Sequence, residues 1–514
     1  MDFKKGKDRN SPLEVKSLES LIKANNSIRL IDRFVDSLDL KALGFQINHA
    51  GQGRPPYHPS ILLKLYIYGY LNGVRSSRKL EESTKLNLEV MWLLGSLSPD
   101  HSTISTFRKN HGEEIKAVFK ESVSIAIHFD LIGKKLLAGD GTKLRAQNSK
   151  KNNYNEKKLD RHLKYIDNKI SVYMEELSIG DGNKEVLKKK IKLQEVRKEK
   201  YKIIKKHLEE SGESQVSLSD PDARLLVTSQ KAEVGYNIQS VVDAAYKIPI
   251  DYEVTNKNDY SALGGMLERS IDTLRLEELE KKTIKGLFDT GYYSGKELKK
   301  AQNLGIEVYV AIPKVSVNNQ APNSAYNLLN FEYDREKDLY ICPIGEELTT
   351  KGNWLHNRQY KLKQYRTKAC KTCPFKIDCT TSKKNGRIIS RSEYADYYEQ
   401  NKKNMASDRT LYRQRQAIVE HPFGTIKRSW GFTYIMTKKG INRAKADVGF
   451  MFLSYNLCRI FNILDFETLN KYLIALKKSF FVPLFFRRPL MIIKWFLSHF
   501  IFLKPSMKYI LTVG

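Results

Sequence analysis

Acidic residues stand at the ends of two short apolar segments that have the composition of buried strands. Asp140 closes Lys-Leu-Leu-Ala-Gly-Asp, and Asp289 closes Ile-Lys-Gly-Leu-Phe-Asp before Thr-Gly-Tyr-Tyr-Ser. A third acidic residue, Glu420, lies in Arg-Gln-Ala-Ile-Val-Glu-His, a segment with a helical pattern. Carboxylates are preferred ligands of hard divalent cations. A fold that gathers these three side chains could hold two such ions and cut phosphodiester bonds.

The charge of the chain points to a polyanionic partner. Its 514 residues suggest two or three domains, and 41% are hydrophobic, which is enough for a sizeable core. Lys and Arg number 88 against 58 Asp and Glu, a formal net charge of +30. A charge of this size favours nucleic acid as the partner, although a Lys-rich proteome would also produce basic proteins.

The ends of the chain and its cysteine content indicate an intracellular protein. The N-terminus, Met-Asp-Phe-Lys-Lys-Gly-Lys-Asp-Arg, has no apolar signal core, and five cysteines do not suggest a disulfide framework. Both features favour the reducing cytosol. The apolar stretch 480–503 is interrupted by Arg487, Arg488, Pro489 and Lys494. We therefore predict no membrane span but a packed or interface helix pair, either a partner-binding segment or a frameshift-like tail.

Two helical regions are predicted outside the acidic segments. In 55–130, Ile61, Leu62, Leu65 and Tyr66 have helical spacing, and N-cap residues in 98–103 precede a basic helix. This region is either a DNA-binding unit of helix-turn-helix character or a plain helical bundle. In 151–210, a heptad seam precedes a break at 180–183 and a second Lys-rich helix, which predicts a helical hairpin. The seam comprises Leu159, Leu163, Ile166, Ile170, Tyr173 and Leu177. We consider three alternatives for this hairpin: it is a solvated arm, it contacts DNA, or its seam pairs with another subunit.

The segment between these regions and Glu420 has the pattern of a layered α/β domain. Strands are predicted at 235–246, 248–254, 284–288 and 307–312, with helices at 263–276 and 294–304. Strand–strand–helix–strand–helix–strand is typical of a sheet covered by helices. After Pro313 the composition changes to Asn, turns and short strand-like pieces, so we interpret 314–391 as an insertion.

Several blocks of this sequence resemble the DDE-class transposases of bacterial insertion sequences. Asp140-Gly-Thr-Lys, Asp289-Thr-Gly-Tyr-Tyr-Ser and the segment from Glu420 to Lys427 are similar to that family's three catalytic blocks. Ser219-Asp-Pro-Asp-Ala-Arg224 and Gly235-Tyr-Asn-Ile-Gln239 also match, and the resemblance covers roughly 55–459. It implies an α+β or α/β protein with a ribonuclease-H-like core. It also implies that Asp140, Asp289 and Glu420 bind Mg²⁺ or Mn²⁺ and catalyse cleavage and strand transfer.

The helix around Glu420 resembles one branch of the family, which forms DNA hairpins. The branch signature is Tyr, two residues, Arg, three residues, Glu, six residues, Lys, and Tyr412, Arg415, Glu420 and Lys427 follow its order. The resemblance assigns Tyr412, Arg415 and Lys427 to DNA phosphates. Four residues instead of three separate Arg415 from Glu420, so Arg413 competes for the phosphate role. A surface ion-pair ladder is the alternative for these cations.

Other residues near the acidic blocks have less specific interpretations. Tyr292 and Tyr293 are expected to pack beneath the site rather than contact DNA, because large aromatic side chains usually belong to cores. Asp220, Asp222 and Arg224 match a family block, but the sequence assigns them no role.

Four cysteines are concentrated in the inserted segment. Cys370 and Cys373 are separated by two residues, as in zinc knuckles, and Cys342 and Cys379 flank them. In a turn-rich module this pattern favours a structural Zn²⁺ site, with unliganded or redox-sensitive thiols as the alternative. Cys458 lies in a helical run and is expected in a core.

Together these features predict five parts of the chain. They are a lead-in at 1–54, a helical domain at 55–130, a catalytic domain at 131–313 and 392–464 with its hairpin at 151–210, a cysteine module at 314–391, and an aromatic helical tail at 465–514. The predicted function is that of a cytoplasmic, nucleoid-associated transposase. It would bind terminal inverted repeats and target DNA and act as a homodimer. The alternatives are a transposase-derived DNA-binding protein without catalysis, a structure-specific nuclease and a decayed copy.

Overall fold

The computed structural model describes most of the chain, which divides into two compact units. The described residues are 17–47, 55–180, 183–227, 232–314, 320–357, 360–382, 385–437 and 439–480. The first unit comprises the described parts of 1–121 and 449–514, and the second comprises those of 122–448. Parts of the predicted lead-in, at 1–16 and 48–54, and the predicted tail after residue 480 lie outside the described residues.

The N-terminal part of the chain is helical. Its helices are α1 Leu18–Leu21, α2 Ile28–Asp36, α3 Pro59–Leu71, α4 Ser77–Leu86, α5 Leu88–Leu93, α6 His101–Asn110 and α7 Gly112–His128. The basic helix predicted from N-cap residues is α6, and the Asp100 carboxylate caps it by accepting from the backbone N–H groups of Ser102 and Thr103 at 2.8 and 2.9 Å. Within the first unit, buried Lys64 of α3 forms ion pairs with Asp32 and Asp36 of α2 at 2.6 and 2.7 Å.

The Lys-rich region after the first strand forms two long helices that pack on each other. The elements here are β1 Leu136–Arg145, β2 Asn153–Tyr154, α8 Glu156–Ile179, α9 Lys184–Ser211 and β3 Val216–Ser217. Leu159 and Ile166 of the heptad seam are buried against Tyr201 and Ile204 of α9. The start of the seam therefore packs against α9 of the same chain.

A six-stranded sheet forms the centre of the second unit. Its further elements are β4 Arg224–Val227, β5 Ala232–Asp243, β6 Pro249–Thr255, α10 Leu263–Leu274, α11 Glu278–Lys281, β7 Lys285–Phe288, α12 Gly295–Asn303 and β8 Glu307–Val310. The strand order is β4-β5-β1-β7-β8, with β6 also paired to β5. Strands β1, β7 and β8 are parallel, whereas β4, β5 and β6 run antiparallel to their neighbours. The strands and helices lie close to the predicted ranges.

The register of β1 and β7 places both aspartates at one level. The last pair between these strands is Ala138 with Leu287. Asp140 lies two residues after Ala138, and Asp289 lies two residues after Leu287. Strand β1 does not end at Asp140, as the sequence suggested, because it continues to Arg145 by pairing with β5.

The predicted cysteine module has a sheet of its own. Its elements are β9 Glu332–Asp334, β10 Leu339–Ile341, β11 Glu347–Thr350, β12 Leu355–Asn357, β13 Tyr360–Arg366, α13 Lys376–Cys379 and β14 Ile389–Ser392. The strand order is β12-β13-β11-β10-β9, with β14 paired to β13. Aromatic and aliphatic side chains, including Tyr340, Tyr365 and Ile389, form a small core beside Cys342 and Cys379.

Helices occupy the described chain from residue 395 onward. They are α14 Ala395–Ser407, α15 Arg409–Gly424, α16 Ile441–Ile463 and α17 Phe466–Phe480, with a π-helical turn at Thr425–Ser429. Helix α15 packs on the central sheet, where Ile418 and Val419 contact Ala138 and Leu287. Among the described helices, none has the length and apolarity needed to cross a bilayer.

Candidate active site

Asp140 lies on the face of the sheet that α15 covers. Side chains alternate along a strand, so Asp140 shares this face with Ala138 and Thr142. Its Oδ1 accepts a hydrogen bond from the backbone N–H of Gly141 at 2.8 Å. Its Oδ2 lies 3.4 Å from the guanidinium of Arg415, and 24% of the Asp140 side chain is exposed. The carboxylate is thus held at the helix–sheet boundary with one edge open.

Asp289 begins the turn that follows β7. It caps the short 3-10 turn Thr290–Tyr292, and its Oδ1 accepts from the N–H of Gly291 at 2.8 Å. Asp140 and Asp289 are near enough that the charge of Asp289 acts on the carboxyl group of Asp140. The two aspartates that the sequence singled out therefore meet at one end of the parallel strand pair.

Helix α15 brings Arg415 and Tyr412 to Asp140, whereas Glu420 points elsewhere on the helix. Arg415 contacts Asp140 and also hydrogen bonds with Tyr412. Arg413, the competing cation, is exposed. Five residues along an α-helix correspond to a rotation of about 140° from Arg415 to Glu420. Glu420 is exposed, and its Oε1 accepts from Gln416 Nε2 at 2.7 Å.

Lys427 reaches β1 from the π-helical turn after α15. Pro422 lies inside α15 without ending it, and the helix passes into the π turn Thr425–Ser429. The ammonium group of Lys427 donates to Thr142 Oγ1 at 3.0 Å. Thr142 is two residues beyond Asp140 on the same face of β1. Two cations therefore contact this part of the strand, Arg415 at Asp140 and Lys427 at Thr142. No local pattern in the sequence singles out Thr142.

The surroundings of Asp140 make its negative charge unfavourable in the metal-free protein. Burial raises the pKa of Asp140 to about 6, and the carboxylates of Asp289 and Asp259 act in the same direction. The Arg415 guanidinium and the Gly141 N–H lower it. An acid near other acids whose pKa is raised by burial is typical of a functional site.

Asp259 is an acidic neighbour that the sequence interpretation missed. It opens the 3-10 turn Asp259–Ser261 between β6 and α10. Asn237 Nδ2 and Gln239 Nε2 donate to its Oδ1 at 2.7 and 2.5 Å. Both amides belong to the block Gly235-Tyr-Asn-Ile-Gln239 noted in the sequence, but only the fold shows that they face Asp259.

Two other groups noted in the sequence have structural roles. Asp220 accepts from the hydroxyl of Tyr236 at 2.8 Å and from the N–H of Gly440 at 2.9 Å, and Asp222 accepts from the N–H of Ile441 at 2.8 Å. They join β5 to the start of α16. Tyr292 is fully buried and donates to Gln239 Oε1, so it packs beneath the site as predicted.

The four module cysteines line one cavity. Cys342, Cys370, Cys373 and Cys379 surround it together with Phe375 and other side chains. Burial raises the pKa of Cys370 and Cys379. Within the described ranges, no group of three or more His, Cys, Asp and Glu side chains is arranged so that it could hold a metal ion.

Two transposase family models match parts of this chain. A family model described as a transposase domain (DUF772) matches residues 16–110, and a model described as a transposase DDE domain matches residues 341–461. The second match begins at residue 341 and includes the four cysteines of the module, so this part of the module falls within the family's own pattern. Curated protein sequences gave no match.

Two solved transposase structures are similar at low levels. The piggyBac transposase synaptic complex with hairpin DNA is 10% identical, with a TM-score of 0.28 over 91% of this chain and 82% of that chain. The pre-cleavage Mos1 transpososome is 11% identical, with a TM-score of 0.16 over 52% of this chain and 64% of that chain.

The DDE-domain match includes the block around Glu420, whereas Asp140 and Asp289 lie outside both matched ranges. The model that matches residues 341–461 is that of a transposase DDE domain, and DDE transposases use divalent metal ions to cut DNA and transfer its strands.

Proposed function

We propose that Asp140, Asp289 and Glu420 form the catalytic carboxylate set of this transposase. The observation that carries the proposal is the meeting of Asp140 and Asp289 at one sheet end, beneath the helix that carries Glu420. The strand order around β1 and the position of α15 support a ribonuclease-H-like core. We propose a catalytic domain spanning 131–313 and 392–464.

The acidic residues fit a divalent cation such as Mg²⁺ or Mn²⁺. Several carboxylates act on one another at this site, and burial raises the pKa of Asp140 to about 6, so added positive charge would be stabilising. A bound ion supplies Lewis-acid stabilisation of charge on the reacting phosphate. The protein's part is to hold Asp140 by the Gly141 N–H and Asp289 by the Gly291 N–H. Fixed carboxylates keep the geometry ready for an incoming phosphodiester.

The cations around Asp140 are suited to gripping the DNA backbone. Arg415, rather than exposed Arg413, lies at the acidic site, which supports its assignment as a phosphate ligand despite the altered spacing. Lys427 lies beside Thr142, and Tyr412 adjoins Arg415. Guanidinium and ammonium groups bind phosphate oxygens by charge-assisted hydrogen bonds. We assign Tyr412, Arg415 and Lys427 to the phosphates next to the cut.

The whole reaction requires two element ends, so we propose a homodimer acting on terminal inverted repeats and target DNA in the bacterial cytoplasm. The net charge of +30 supports extensive backbone contact. The helical region 55–130 is proposed to contribute to recognition of the ends. The second strand would be processed through a hairpin, as the resemblance of the α15 region suggests.

Cleavage of a labelled duplex carrying the element's own end tests the active-site assignment. We expect Mg²⁺- or Mn²⁺-dependent nicking at the end and joined-strand products with the wild type. Asp140→Asn, Asp289→Ala and Glu420→Gln should each abolish nicking and leave DNA binding intact. Asp272→Asn, in an exposed position of α10, is the control and should cleave normally.

Each alternative function predicts a different result in this assay. Tight binding without cleavage by the wild type would favour a DNA-binding protein descended from a transposase, or a decayed copy. Nicking without joined strands would favour a structure-specific nuclease. Full activity of Glu420→Gln would refute the assignment of Glu420 but not that of the two aspartates. The variant tests Glu420 separately because this side chain is exposed and accepts a hydrogen bond from Gln416.

We also propose that the four-cysteine cavity holds a structural Zn²⁺ ion. Four sulfur ligands from one small module match the preference of zinc for thiolates. The backbone at Gly386 packs closely against Cys370, since a β-carbon at Gly386 would lie 2.0 Å from Cys370 Cβ. Because burial raises the pKa of Cys370 and Cys379, zinc binding should release protons at neutral pH.

Metal analysis of the purified full chain tests this second site. We expect about one zinc per chain in the wild type, as a closed four-ligand site implies. Cys373→Ser should lose the ion, whereas Cys458→Ser, in α16 and not among the residues that line the cavity, should keep it. Wild-type protein prepared without chelators and free of zinc would refute the site.

A further inference from the structure

Helix α9 carries a row of exposed apolar side chains, here called the outer stripe, that the hairpin core does not use. The core face of α9, which includes Tyr201 and Ile204, packs with residues of α8. The outer stripe is 46%, 59%, 62% and 63% exposed and comprises Val186, Leu193, Val196 and Ile203. At 100° per residue, it lies roughly 120° around the helix from the core face. An exposed apolar patch bordered by charged residues is typical of a surface that contacts another protein.

The outer stripe has the spacing of a two-stranded coiled coil. Leu193 follows Val186 by seven residues, Val196 follows Leu193 by three, and Ile203 follows Val196 by seven. These residues therefore occupy a and d positions of one heptad register. In an antiparallel pair of identical helices, an a residue of one helix faces a d residue of the other. Leu193 then faces Val196 of the second copy, and Val186 faces its Ile203, so the stripe is complementary to itself.

The charged residues along one edge of the outer stripe are complementary to themselves in the same way. At steps of seven residues, an exposed column alternates in sign as Glu185, Lys192, Glu199 and Lys206. In the antiparallel register set by the apolar residues, Glu185 faces Lys206 of the second copy, and Lys192 faces its Glu199. All four contacts of this edge thus join opposite charges. In a parallel pair, Lys192 would instead face Arg197, which is also basic.

Basic residues within and beside the stripe limit the strength of the pairing. Lys189 and Lys200 occupy the other a and d positions and face each other, and Lys190 faces Arg197 on the second edge. Long lysine side chains lay their stems along apolar surface while the ammonium group reaches water. A lysine at such a position fixes the register and lowers stability. Because bound DNA offsets these like charges, we expect the pairing to be strongest on DNA.

We propose that α9 pairs antiparallel with α9 of a second copy of this chain through the outer stripe. The basic hairpin is then the arm that joins two copies. The heptad seam of α8 does not serve this purpose at its start, because Leu159 and Ile166 are buried within the hairpin. The inference rests on the proposed function in one respect, that two copies act together, and it uses none of the catalytic residues.

Sedimentation velocity of the full chain over a concentration series, with and without an end duplex, tests the pairing. Lys192→Glu places Glu opposite Glu199 of the second copy and should weaken the dimer about tenfold or more, because two attractive contacts become repulsive. The double variant Lys192→Glu/Glu199→Lys restores opposite charges and should regain wild-type affinity. Lys202→Glu makes the same change of charge at an exposed position nearly opposite the stripe and is the control.

Leu193→Gln tests the apolar part of the contact. Its side chain is exposed in the single chain, so the variant should keep the melting temperature of the monomer and lose dimer. Tighter pairing of Lys192→Glu would indicate parallel helices and overturn the inference. Weaker DNA binding of Lys192→Glu with an unchanged dimer would overturn it in favour of a DNA contact.

The oligomeric state also separates this inference from the proposed function. Wild-type dimerisation by Lys192→Glu and Leu193→Gln would overturn the pairing through α9 and keep the homodimer. A wild type that stays monomeric with and without DNA would overturn both the pairing and the homodimer. The assignment of the catalytic carboxylates is decided separately, by nicking of the end duplex.

Discussion

The guanidinium of Arg415 lies 3.4 Å from the carboxylate of Asp140, and this ion pair joins α15 to β1. The contact places the proposed phosphate-binding cation beside a proposed metal ligand. It also sets the protonation state of Asp140, because Arg415 is the main group that lowers a pKa raised by burial. Removal of Arg415 should therefore change the pH dependence of the reaction as well as its rate.

Replacement of Arg415 by Gln should move the acidic limit of DNA nicking to higher pH. Only the charged form of Asp140 binds a cation well, and its pKa is about 6 in the wild type. Without the guanidinium the pKa rises further, so activity is lost at a higher pH as the solution is acidified. Initial rates at subsaturating Mg²⁺ between about pH 5 and 8.5, chosen to bracket ordinary acid pKa values, would show the shift. Arg413→Gln is the matched control, and equal midpoints for both variants would contradict the role of Arg415.

Asp140→Asn should stabilise the metal-free protein at neutral pH. The folded state raises the pKa of this group from 3.8 to about 6, so folding favours its protonated form. The unfolding free energy of the wild type consequently falls as pH rises from about 4 to about 6 and stays lower above that. The variant avoids this cost, which is on the order of 3 kcal/mol. Melting in chelator should give a higher temperature for the variant at pH 7.5 and a smaller difference at pH 4; a lower value at pH 7.5 would refute the prediction.

Gly139→Ala should destabilise the second unit through a clash at the centre of the sheet. A β-carbon at this position would lie 2.1 Å from the ring of Phe288, which precedes Asp289. Overpacking of this kind usually costs about 1–3 kcal/mol, and the displaced ring would move Asp289 as well. Chemical denaturation of Gly139→Ala, Phe288→Leu and the double variant would measure the coupling. Strictly additive effects would show that Phe288 is not what excludes a side chain at Gly139.

The sequence predicted the helices and strands of the catalytic region well because their periodicities are local. It located Asp140 and Asp289 because apolar strands precede them, and register alone then brings them together. Asp259 was missed because its importance comes from Gly141, Asn237 and Gln239, which are near it only in the folded sheet. The partner of Lys427 was missed for the same reason, since 285 positions separate it from Thr142. Local patterns predict elements, whereas contacts between elements require the fold.

Lys427→Ala should weaken DNA binding and reduce its salt dependence. The ammonium group stands beside Thr142, two residues from Asp140, where a phosphate next to the cut would pass. Loss of one phosphate contact lowers the slope of log affinity against log salt by about one, with a similar effect on all DNA sequences. Binding measured across a range of salt concentrations would test this, with Lys337→Ala in an exposed turn of the cysteine module as the control. If Lys427 serves only to hold Thr142, the slope will not change, and Thr142→Val will reproduce whatever loss of stability the variant shows.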